Sequence, residues 1–241
     1  MKKIFLTSSL GTNIKIDGIK IPKSLDNSNN IIEQLKESLP HYKKFIYMAS
    51  APSNYENNDT YSSVVYESLK LSGITFGKYV LVDYRYEGNL EEEIKDASLI
   101  LLSGGDPKEE MDYFEEINFR NIIRGYDGVL LGQSAGSMNM AKVVVCPPED
   151  ISQIGGNYVF NGLDIIDINI EPHFAIDIDT SLEEIILIRK ELLKISEDHT
   201  LYGLTDGSHI VFLNDEYILY GDAYLIKDRK TTKINKIVKG K

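Results

Sequence analysis

Cysteine is almost missing from this chain: Cys146 is the single one in 241 residues. An intramolecular disulfide is thereby excluded and a cysteine-based metal site is not expected, a usage that fits a reducing cytoplasm. Basic residues are in deficit too. Lys and Arg number 26 against 37 Asp and Glu, a formal charge of −11 with a pI near 4.9. Phosphate binding draws its affinity from clustered cations, so nucleic acid is not an expected partner. The one basic concentration, Lys227 to Lys241, reads as a solvated tail. No apolar run approaches the roughly 20 residues of a membrane helix. The opening Met1–Leu6 starts like a secretory signal, but Thr7-Ser8-Ser9 cuts the apolar run short, so it reads as a first strand. Histidine is scarce: His41, His173, His199 and His209 are the only four, which leaves few choices for a catalytic base.

What is present is an ordinary apolar content of 42% and an alternation of short apolar runs with helical periods. Strands are expected at Lys3–Ser8, Lys44–Ala49, Lys78–Asp83, Ser98–Leu102 and into Gln133, and a short one at Lys142–Cys146. Helices are expected at Ile31–Leu39, Thr60–Ser72, Leu90–Asp96, from Pro107 to about Arg120, and at Leu182–Ile195. Leu10 to Asn30 reads as a polar connection. The closing strands, about Tyr217–Tyr220 and Ala223–Ile226, form an expected antiparallel edge. The rhythm implies an α/β fold, with a doubly wound, mostly parallel sheet and helices on both faces. The length fits a single domain over residues 1–241.

Ligands of such sheets bind beyond the carboxyl ends of the strands, and two glycine-rich turns stand there. Gly132-Gln133-Ser134-Ala135-Gly136 follows an apolar strand and opens a helix; it reads either as a nucleophile elbow presenting Ser134 or as a tight structural turn. Ser103-Gly104-Gly105-Asp106 reads as a simple helix start, as a phosphate loop, which the missing Lys-Ser/Thr pair disfavours, or as a loop lending an N–H to an oxyanion beside the amide of Ala135. Among the histidines, His173 ends an alternating strand in Glu171-Pro172-His173-Phe174 and is the best base candidate. Asp206-Gly207 has the look of a hairpin turn between two strands.

Taken in order, Ser103–Asp106, Gly132–Ser137, Glu171–Phe174 and Tyr202-Gly203-Leu204-Thr205-Asp206-Gly207-Ser208 resemble the motifs of the peptidase E family, the aspartyl dipeptidase and cyanophycinase-type serine peptidases. The resemblance implies a fold like that of class I glutamine amidotransferases. It also implies Ser134 as nucleophile, His173 as general base, and the amides of Gly105 and Ala135 as oxyanion hole. The third member falls on Asp206, with Glu149 or Asp150 as the competing acid. Substrate contacts would come from Gly104, Asp106 and Arg189; the region after His173 is acidic, and Arg189 is its first basic residue. The resemblance thus implies a peptidase that cleaves dipeptides or short peptides from a free N-terminus, with no metal or organic cofactor; cysteine usage fits a cytoplasmic location, and the sequence leaves monomer and homodimer both open. A non-catalytic binding protein on the same fold, or a serine esterase or amidase, are the other readings.

Overall fold

The computed structural model describes residues 3–174 and 182–237. In chain order its elements are β1 (Lys3–Thr7), β2 (Asn13–Ile16), β3 (Ile19–Pro22), α1 (Ile31–Ser38), β4 (Lys44–Met48), α2 (Tyr55–Leu71), β5 (Lys78–Val82), α3 (Leu90–Ile94), β6 (Leu99–Leu102), α4 (Pro107–Glu116), α5 (Phe119–Arg124), β7 (Val129–Gln133), α6 (Ala135–Met138), β8 (Val143–Val145), β9 (Val159–Asn161), β10 (Asn169–Glu171), α7 (Leu182–Ile195), β11 (Leu201–Leu204), β12 (His209–Leu213), β13 (Glu216–Tyr220), β14 (Ala223–Lys227) and β15 (Lys230–Ile234).

The main sheet runs β13-β12-β1-β7-β6-β4-β5. Pairings among β1, β7, β6, β4 and β5 are parallel, and β12 is antiparallel to both its neighbours. Strands buried on both faces read as unbroken apolar runs, and Leu99-Ile100-Leu101-Leu102 is wholly buried. Successive side chains point to opposite faces, so one sheet feeds two cores. Leu99 and Leu101 join Phe5, Phe45, Val129 and Leu131 beneath Leu35 of α1 and Leu69 of α2. Ile100 and Leu102 join Ile4, Ile46, Met48 and Leu130 beneath Met111 and Phe114 of α4 and Phe119 of α5. Each such fully buried side chain stabilises the fold by roughly 1.5–3 kcal/mol. The α/β, mostly parallel arrangement with helices on both faces is as expected.

A second sheet, β10-β11-β14-β15, pairs β10 and β11 in parallel and adds β14 and β15 antiparallel. Ile170, Tyr202, Leu204 and Ala223 turn toward the main core. Leu201 and Ile226 turn instead toward Leu192 and Ile195 of α7.

The structure differs from the sequence reading at several points. The connection after β1 contains the hairpin β2–β3, whose Ile14, Ile16, Ile19 and Ile21 are all exposed. Helix α2 begins at Tyr55, because the polar run before Thr60 holds no breaker, and the buried Asn58 binds Ala51 O and Asp83 Oδ2. The helix from Pro107 splits where Asn118 takes a left-handed conformation (φ 56°), which Asn tolerates better than most residues. The expected edge pair separates, β13 in the main sheet and β14 in the second. Part of the basic tail, rather than being free, forms the exposed strand β15. No described helix is long and apolar enough to cross a membrane.

Candidate active site

Four parallel strands of the main sheet deliver polar groups at their carboxyl ends: Ser8 after β1, Ser50 after β4, Ser103-Gly104-Gly105 after β6 and Ser134 after β7. The second sheet delivers two more, each two residues past a strand end: His173 after β10 and Asp206 after β11.

Ser134 sits at the corner between β7 and α6 with φ 49° and ψ −115°. A non-glycine residue held there costs on the order of 1–3 kcal/mol and needs surroundings that enforce it. Main-chain bonds do so: Ser134 N donates to Thr7 O (2.9 Å), and Ser134 O accepts from Ser137 N (2.9 Å) and Met138 N (3.1 Å). Buried Ser137 ties the helix back to β1, its Oγ accepting from Thr7 N (2.9 Å) and donating to Thr7 O (3.0 Å). Gly136 N donates to Ser103 O (3.0 Å), and a Cβ on Gly136 would stand 2.2 Å from Leu102 O, so only glycine allows this approach.

The β6 turn abuts this corner. A Cβ on Gly104 would lie 3.4 Å from Ser134 Cβ, and one on Gly105 would lie 2.2 Å from Ser50 Oγ. Ser50 secures the turn, its N donating to Ser103 Oγ (2.8 Å) and its Oγ to Gly104 O (2.7 Å). Among the described residues no acceptor is bonded to the amides of Gly105 and Ala135. Asp106 caps α4, its Oδ1 accepting from the amides of Lys108 (2.8 Å) and Glu109 (2.9 Å).

His173 also has positive φ (54°), which turns its ring across the gap between the sheets. Nε2 lies 3.0 Å from Ser134 Oγ and Nδ1 lies 2.7 Å from Asp206 Oδ1. Ser8 links the two strand ends: its Oγ donates to Asp206 Oδ1 (2.8 Å) and accepts from His173 N (2.7 Å). The hydrogen bond to Asp206, ahead of the opposing effect of burial, raises the His173 imidazole above its usual range. The same bond holds Asp206 below the ordinary carboxylate range. This alignment lets a hydroxyl pass its proton to an imidazole whose cation is stabilised by a carboxylate.

Asp206-Gly207 does not turn a hairpin. Its flanking strands pair elsewhere, β11 with β10 and β14, and β12 with β1 and β13, so the turn crosses from one sheet to the other. Of the competing acids, Asp150 caps the short turn Ile151–Gln153 through Ser152 N (2.7 Å). Glu149 has no hydrogen bond to His173 and acts on it through charge alone. Arg189 lines a cavity of about 290 Å³ with Phe174, Leu192, Leu193, Tyr224, Thr231 and Lys233; Ser134, His173 and Asp206 are not in that lining. At the end of β10, burial, with the neighbouring Glu149 charge, pushes Glu171 up to about 8. Among the described residues no group of three or more His, Cys, Asp or Glu could hold a metal ion.

Sequence reasoning missed Ser8 and Ser50. The one available signal was their place as polar residues just past buried strands, where α/β sheets assemble their sites.

Known proteins match this architecture. The chain is similar to a crystallised peptidase from an acI-B1 Actinobacterium, at 20% identity and a TM-score of 0.68, over 98% of this chain and 94% of that one. It is also similar to a putative peptidase E protein from Listeria monocytogenes EGD-e, at 17% identity and a TM-score of 0.57, over 91% and 98%. No curated protein matches. The model of peptidase family S51 matches residues 22–220, and the chain belongs to that family.

Proposed function

We propose that the protein is a serine peptidase that hydrolyses dipeptides or short peptides from a free N-terminus through an acyl-enzyme. The observation that carries this reading is the line from Ser134 Oγ through His173 to Asp206 Oδ1, at 3.0 and 2.7 Å. Ser134 Oγ attacks the scissile carbonyl carbon while its proton passes to His173 Nε2. The carbonyl π pair moves to oxygen, where the amides of Gly105 and Ala135 receive the charge. Collapse of this intermediate breaks the C–N bond, and His173 returns the proton to the departing amine. Water then repeats the attack on the ester, releasing the acid and restoring Ser134. Asp206 holds the imidazole in the tautomer that accepts at Nε2 and stabilises its cation.

Two features favour a peptide over a simple ester. The chain order Ser, His, Asp differs from the acid-before-histidine order of α/β-hydrolase esterases. The site is also rich in acid: the Glu149 charge acts on both His173 and Glu171, and the raised Glu171 carboxyl, two residues before His173, is suited to a substrate α-ammonium that offsets the charge. The acidic surroundings point away from a general requirement for an N-terminal aspartate. The steps draw on the chain's own groups, and the single cysteine fits a cytoplasmic enzyme.

Hydrolysis of a dipeptide library is the test, with Ser134→Ala and His173→Ala as controls. Release of amino acids by wild type alone is expected. Equal release by wild type and Ser134→Ala would refute the reading, and cleavage confined to Asp-Xaa would refute the assignment of specificity.

A further inference from the structure

One buried acid plays no part in the steps above. Glu110, in the first turn of α4, is fully buried, and so is Asn139, which follows α6. The Asn139 amide spends both its hydrogens on α4: Nδ2 donates to Glu110 Oε2 (2.8 Å) and to Pro107 O (2.8 Å). Asn139 N in turn donates to Ala135 O (2.9 Å). One side chain thus ties the start of α4, two residues after Gly105, to the helix that opens at Ala135.

Those are the two amides assigned above to the oxyanion. We propose that the Glu110–Asn139 pair is a clamp that sets the spacing of the Gly105 and Ala135 amides about Ser134, making both side chains positioning residues for acyl transfer. The inference rests on the serine peptidase reading.

The pair's chemistry distinguishes it from packing. Glu110 Oε1 and Asn139 Oδ1 are both buried with no hydrogen-bond partner among the described residues. Two acceptors left so would each cost a desolvation penalty. A proton on the carboxyl supplies the missing donor and converts the pair into an acid hydrogen-bonded to an amide. Burial with no cation to oppose it raises the Glu110 carboxyl well above the usual carboxylate range, in keeping with that proton. An apolar residue would fill this space beside Met111 and Phe114 without any such demand, so the polar pair is retained at a cost to stability.

The test uses a fluorophosphonate probe. Ser134 Oγ would attack phosphorus, fluoride would leave, the serine proton would pass to His173, and the phosphoryl oxygen would occupy the space between the two amides. Glu110→Gln keeps the shape and supplies a neutral donor, so its phosphonylation rate should stay within about threefold of wild type. Glu110→Met with Asn139→Leu removes both polar partners at similar volume; it should fold, yet react roughly 10- to 100-fold more slowly. Dipeptide turnover by this double variant should show the loss in kcat, with KM changed by less than about threefold.

A merely structural pair would move the melting temperature and leave the rate at 25 °C intact. A double variant reacting within about twofold of wild type, or Glu110→Gln losing about tenfold, would overturn the clamp. Should the double variant not fold, Glu110→Met alone carries the same criterion. Labelling of Ser134→Ala protein would instead refute the nucleophile assignment, whereas label confined to Ser134 with unaltered rates in the Met variants would refute the clamp alone.

Discussion

The two sheets contribute to the site in opposite ways. On the main sheet, Ser134 is held at a strained backbone angle by main-chain bonds to β1, by Ser137 and by a glycine approach that excludes any side chain. On the second sheet, His173 and Asp206 stand on short strand ends with side chains 49% and 63% exposed. Between the halves, Ser8 bonds to both His173 and Asp206. The contrast assigns stability to one side and tunable proton chemistry to the other. Substitutions that crowd the buried packing around Ser134 should act on folding, and those on the exposed side should act on rate and its pH dependence.

The largest effect is expected on the exposed side. Asp206→Asn keeps the shape but removes the carboxylate that orients and charges the imidazole, so kcat should fall roughly 10³- to 10⁴-fold, with the melting temperature nearly unchanged. Because Asp206 raises the His173 pKa, and activity requires the neutral ring, the acid limb of kcat/KM should move to lower pH in this variant. An acid limb that stays in place would separate Asp206 from the base.

Gly136→Ala probes the buried side. Its Cβ meets Leu102 O at 2.2 Å, a backbone atom that can yield only by moving β6, and a loss of about 3 kcal/mol or more in denaturant unfolding is expected. A stable, active Gly136→Ala protein would break the distinction between the halves.

The two strand-associated imidazoles sharpen it. His209, 1% exposed with Nε2 2.7 Å from Gln34 Oε1, is pushed by burial down to about 4, opposite in direction to His173. Protonation is easier in the unfolded chain, so the neutral ring's full contribution is present above about pH 6.5 and is lost as pH falls toward 4. The loss amounts to roughly 3 kcal/mol. Unfolding free energies should decline across that window, and His209→Gln should flatten the decline. The smallest effect falls on the link between the halves. Ser8→Ala removes one of two hydrogen bonds to Asp206 and one to His173 N, and about a tenfold loss in kcat is expected with little change in KM.

Much of this site was legible in the sequence because its parts are local. The elbow at Ser134 and the turn at Gly104-Gly105 each join one buried strand to one helix, and apolar periodicity marks both. Asp206-Gly207 was misread as a hairpin, since a two-residue turn chemistry does not reveal that its strands enter different sheets. Ser8 lies 198 residues from Asp206, and Glu110 lies 29 from Asn139, separations at which no local pattern signals a contact. The extension of α2 back to Tyr55 escaped because Asn57, Asn58 and Asp59 look like loop residues until tertiary bonds from Asn58 give them a place.

The most direct measurement is mass spectrometry of the full chain after fluorophosphonate treatment, repeated with His173→Ala. A serine activated across the two sheets should give one phosphonyl adduct, on the peptide containing Ser134, formed far more slowly without the imidazole. Hydrolysis of dipeptides that persists once Ser134 is fully modified, or an adduct on another residue, would contradict the assignment.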